Sequence, residues 1–203
     1  MFGKKAQTEA MTIVIITGIV IALVGAAYLW GKPLIEKRST AAEFSTMESF
    51  ILELDNAIKD IANSGSGSKS LDLPFGQIRM HTTENALNYT HFTPQQMMNS
   101  TYAIPIKTVN MQDSAIYGEA QPRIITLEVE PIDDVYEMLM KLRYRELVKN
   151  TYPRKGFIIN LHQSGPPAGT RSVSVSFGGI EEVVGGASNG GDLIKTTVNV
   201  ELI

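Results

Sequence analysis

Cysteine is missing from the 203 residues, and its absence excludes disulfides, thiolate metal sites and cysteine nucleophiles. It leaves the compartment open, because a chain without cysteine is allowed anywhere. Histidine is scarce. His81, His91 and His162 are the full set, and none stands at metal-ligand spacing from another histidine or a carboxylate. Basic residues are not in excess, and a formal net charge of −3 gives no reason to expect nucleic acid as a partner. Glu128, Glu130, Asp133 and Asp134 crowd together but lack the ligand order and turn glycine of an EF-hand, so they read as a solvated acidic edge. The Gly185–Gly191 run is followed by Asp192, not by the Lys and Ser/Thr that a phosphate loop requires. There is no G-x-S-x-G elbow. No internal repeat recurs at a fixed period. No enzyme activity, metal or cofactor is expected.

One feature stands out against these absences. Met11 to Trp30 reads MTIVIITGIVIALVGAAYLW, 20 residues without a charge. At about 1.5 Å rise per residue it spans roughly 30 Å, the hydrocarbon thickness of a bilayer. Tyr28 and Trp30 sit at one end, where amphipathic rings favour the interface. Lys4 and Lys5 flank the other and favour an inside N-terminus, although Lys32, Lys37 and Arg38 follow the span. Membrane lipid is therefore an expected partner, the competing reading being a buried core helix. Gly18, Ala22 and Ala26 recur every four residues and line one helix face, where a second helix could approach closely.

Three fates are open to such a segment. It stays as an uncleaved anchor, it is removed as a secretory signal near Val24-Gly25-Ala26, or it is cut ahead of the apolar run. Lys4-Lys5-Ala6-Gln7-Thr8-Glu9 directly precedes that run. This stretch resembles the class III signal peptide of archaeal type IV pilins and archaellins, over about the first 30 residues. The resemblance implies cleavage by a prepilin peptidase between Ala6 and Gln7, with Lys4 and Lys5 in the leader. Many members carry Glu as the fifth mature residue. Here the fifth is Met11, and the acid, Glu9, is the third. The implied function is a structural subunit of an archaeal cell-surface filament, anchored before assembly and self-associating through its helix. The alternative is a single-span, membrane-anchored extracellular binding protein.

Beyond the span, Gly31-Lys32-Pro33 predicts a kink or short break. Thr40 and Glu43 then match a capping box. Phe44, Met47, Ile51, Leu54, Ile58 and Ile61 form a heptad seam, with Glu48, Glu53, Asp55, Lys59 and Asp60 assigned to the opposite face. The seam packs on the chain's own C-terminal domain, or part of it meets neighbouring subunits. The Gly/Ser run to Ser70 ends the helix. The expected division is a leader over 1–6, an apolar helix over 7–31, an amphipathic extension over 32–63, a linker over 64–70 and an extracellular β-rich head over 71–203.

In the head, Pro122–Glu130, Arg171–Phe177 and Leu193–Leu202 alternate as half-buried strands do. Gln77–Thr82, Ala103–Val109, Gly156–His162 and Ile180–Val184 are weaker strand candidates. Gly178-Gly179 and Gly185–Gly191 read as turns. Asp133–Lys149, with Val135, Leu139, Leu142 and Leu147 at helical spacing, predicts one inserted helix. The expected fold class is α+β: a long helix followed by a mainly antiparallel sheet or sandwich. Asn88 and Asn99 head N-glycosylation sequons in a polar stretch expected to be looped.

Overall fold

The structure is a computed structural model that describes residues 4–96, 102–106 and 111–203, with side chains from Met11 onward. One helix, α1, runs without interruption from Lys4 to Ser64, 61 residues or about 90 Å. Pro33 lies inside it, so the expected break is absent. A proline removes one backbone donor, and helical runs of some thirty residues on either side carry the helix across that loss. The capping box is likewise not formed. Thr40 is mid-helix and buried, and its hydroxyl has no hydrogen-bond partner. Glu43 instead accepts from Ser39 Oγ at 3.1 Å and meets His91.

The helix ends where Gly65 turns to φ +65 and its N–H bonds the Ile61 carbonyl at 3.1 Å, a left-handed glycine terminus. Strand β1, Ser68–Asp72, follows three residues later. The expected linker is thus shorter, and the head begins before Leu71. The polar Ser68, Lys69 and Ser70 suit an edge strand whose outer side is wet.

Next come β2 (Gln77–His81), β3 (Ala86–Thr93), β4 (Ile104–Pro105), β5 (Ser114–Ile116) and β6 (Arg123–Ile132). They are followed by β7 (Val135–Tyr144), β8 (Glu146–Lys149), β9 (Lys155–Gln163), β10 (Ala168–Gly169), β11 (Ser172–Val183) and β12 (Asp192–Leu202). They form two six-stranded sheets, ordered β1-β11-β12-β9-β8-β5 and β10-β2-β3-β7-β6-β4. Pairing is antiparallel except for β12 with β9 and β5 with β8. The fold is α+β, as expected.

The inserted helix is not there. Its residues form β7 and β8. Asp133 takes φ +51 and, with Asp134, closes a two-residue hairpin between β6 and β7. Met138, Met140, Leu142 and Tyr144 alternate onto the buried face. The helical spacing of Val135, Leu139 and Leu142 coexists with this period of two, and the flanking strands select the latter. Gly178-Gly179 is no turn but a bulge that lets β11 run on to Val183. Of the Ala103–Val109 candidate, only Ile104–Pro105 is strand, and residues 107–110 lie outside the described part.

A single apolar cluster joins the second half of α1 to the inner faces of both sheets. Met47, Ile51, Leu54 and Ile58 are wholly buried within it. The seam therefore packs on the chain's own head.

Candidate anchoring and assembly helix

The first half of α1 has no such partner. Every residue from Met11 to Trp30 is exposed, with Leu29 at 76% and Trp30 at 78%. This is one helix near the N-terminus long and apolar enough to cross a membrane, and none of its most apolar stretch is buried. The contrast with Met47 and Ile51, at 0%, lies within one continuous helix. A chain that can bury a leucine side chain gains about 1.5–3 kcal/mol by doing so. So large an uncovered apolar surface is consistent with a single membrane span.

Gly18, Ala22 and Ala26 are all exposed on this stretch, and a Cβ placed on Gly18 or Gly25 would meet nothing within 4 Å. The face is open to a second helix. Lys4, Lys5, Ala6, Gln7 and Glu9 belong to the helical backbone, but their side chains lie outside the described part.

Above the span, polar contacts fix the height of the head on the helix. The Gln95 amide donates to Glu36 Oε2 at 2.9 Å. His91 Nε2 lies 3.3 Å from Glu43 Oε2, and its ring meets Phe75 at a tilt of 46° with centroids 4.4 Å apart. The Phe50 and Tyr89 rings meet edge-on at 5.4 Å. Strand β3 therefore descends along α1 toward the apolar end.

The strongest tie is one that sequence reasoning placed on the wrong face. Asp55, assigned to the polar side, is wholly buried. The Tyr144 hydroxyl donates to its Oδ1 at 2.9 Å, Lys59 Nζ lies 2.8 Å from its Oδ2, and the Arg123 guanidinium pairs with the same oxygen. Burial, then the Asp55 charge and hydrogen bond, hold the Tyr144 phenol well above its usual range. The signal was legible. Asp55 stands four residues after Ile51 and three before Ile58, both on the seam. The carboxylate binds helix to sheet.

Elsewhere the head offers little. A shallow depression on the outer face of β2, β3 and β7 is lined by Gln77, Arg79, His81, Asn88, Thr90 and Phe92, among others. Among the described residues no group of three or more histidines and carboxylates is placed to hold a metal. Asn88 is half-buried in β3, between β2 and β7, with its Oδ1 buried and unbonded, so it is not in the expected loop. The alternation of Leu87, Tyr89 and the polar residues between them was the missed strand signal. Asn99 lies outside the described part. His162 is an exposed residue of β9.

No family model, curated protein or solved structure matches this chain.

Proposed function

We propose that the chain is a pilin-like structural subunit of an archaeal cell-surface filament, held in the membrane by its N-terminal helix until it assembles. The observation that carries this reading is the division of α1. Met47, Phe50, Ile51, Leu54 and Ile58 are core of the head, while Met11–Trp30 stands clear of it. One rigid rod thus couples an outward-facing head to a lipid-soluble shaft. Before assembly lipid covers the shaft; afterwards sister helices do, approaching along Gly18, Ala22 and Ala26. Lys4, Lys5 and Ala6 complete the leader that a prepilin peptidase removes, leaving Gln7 as the first residue.

Mass spectrometry of the N-terminus from native membranes tests this. The expected result is loss of Met1–Ala6. An intact Met1 in the surface-exposed pool overturns the filament reading and leaves an anchored binding protein. A start at Ala27 means a released head. The same spectra show whether Asn88 or Asn99 carries a glycan. Transfer to Asn88 must precede folding, because β3 is flanked by strands on both sides.

A further inference from the structure

We infer that the β6–β7 hairpin of one copy docks on the basic collar of a neighbouring copy's helix, Asp133 and Asp134 meeting Lys37 and Arg38. The inference rests on the reading of the chain as an assembling subunit, and it names the contact above the membrane.

The two surfaces lie at one height. Gln95 is bonded to Glu36, which places the lower end of β3 beside that turn of the helix. Thr93 is in register with Tyr136, and Tyr136 with Pro131. The hairpin tip, one to two residues further on, therefore reaches the level of Glu36–Arg38. Trp30 lies about 9 Å below, at the end of the apolar span.

Arg38 cannot meet the hairpin of its own copy. Glu36, Thr40 and Glu43 face the head. Arg38 stands about 200° around the helix from Thr40, on the far side. The exposed Lys37 and Arg38 form no ion pair among the described residues, whereas Lys32 has Glu36 at 3.6 Å. Asp133 and Asp134 are exposed and equally without a cation. Just above them, Glu130 and Glu137 sit directly opposite each other across β6 and β7. Like charges so placed destabilise a hairpin unless a cation is brought to them. Beside the acids, Ile132 and Val135 are 40% and 36% exposed, an apolar component that salt alone would not require.

The collar alone would suit anionic lipid headgroups, but the acids of the hairpin would be repelled by them. A second copy satisfies both surfaces at once. The patches differ, so the contact is heterologous and propagates from copy to copy, as a ring or a filament does. A neighbour at similar height, rotated about a common axis, brings collar to hairpin while the shafts pack below.

The absence of native cysteine allows a clean test in the full chain in its own membranes. Arg38→Cys and Asp134→Cys on one chain, treated with a short thiol-specific cross-linker, should give a ladder of dimers and higher species. Either cysteine alone should give no covalent dimer, since a heterologous contact never brings identical positions together. In the double-cysteine chain, Lys37→Glu should lower the ladder yield about tenfold, and adding Asp133→Lys should restore it. Ala22→Cys within the span reports helix association separately. Cross-linking at Ala22 without the collar ladder overturns the docking contact and leaves the subunit reading standing. No cross-linking at either place overturns both. A ladder that follows anionic lipid content and is not restored by Asp133→Lys assigns the collar to headgroups and overturns the proposal.

Discussion

Replacing Asp55 with alanine should be the most damaging single polar change in the head. The carboxylate is wholly buried and accepts from three groups: Tyr144, Lys59 and Arg123. Without it the Tyr144 hydroxyl is buried and loses its hydrogen bond, at about 1–3 kcal/mol. The Arg123 side chain, only 15% exposed, keeps its charge against an apolar core. Lys59 is 21% exposed and can swing to water, so its loss is small. Breaking a buried ion pair from one side costs about 3–5 kcal/mol. A domain of this size is stable by about 5–15 kcal/mol, so about a fifth or more of its stability goes, and Tm falls by about 10 °C. Circular dichroism of the detergent-solubilised full chain measures this. A triple replacement with apolar residues, Asp55→Leu, Arg123→Leu and Tyr144→Phe, should recover most of the loss, because no buried charge remains. If Asp55→Ala costs less than about 1 kcal/mol, the network is hydrated and the account of what ties helix to sheet is wrong.

Alkali should weaken the head through two phenols. Tyr144 is held well above its usual 10, and burial raises Tyr89 to about 12. Their contribution is complete below pH 10 and is lost as pH climbs from 10 through 12, because the unfolded chain releases those protons first. Denaturant unfolding across that window should show the fall, and Tyr144→Phe should make it shallower. Ile21→Arg, at the middle of the apolar run, should cost about 2.5–3.5 kcal/mol of insertion and move the chain into the alkaline-extractable fraction. An unchanged membrane fraction would show that the run is not the anchor. Gly76→Ala should destabilise by about 2–4 kcal/mol in thermal melts. Gly76 holds φ +74, and a Cβ there collides with the Thr90 carbonyl oxygen.

The seam from Met47 to Ile61 was readable because a helix with one buried face must repeat its apolar residues every three or four positions. Strands β6, β11 and β12 showed themselves by alternation for the equivalent reason. The weakness lay in short segments where both periods fit. In Val135–Tyr144, helical spacing and alternation occur together, and only pairing with β3 and β6 decides between them. Asp55 was misplaced because helical spacing puts it at the margin of the seam, and charge outweighed position in assigning it outward. Its burial depends on Arg123 and Tyr144, 68 and 89 residues away in the chain.

By itself the sequence determined that one uncharged segment is long enough to cross a bilayer, that an amphipathic seam follows it, and that the rest is mostly strand. These are local properties, written in composition and period. Tertiary structure alone decided that span and seam are a single helix through Pro33, that Asp55 lies inside the head, and that hairpin and collar share one height. The first rests on the long helical runs flanking Pro33; the other two depend on residues distant in the chain meeting in space, and no local period records such meetings.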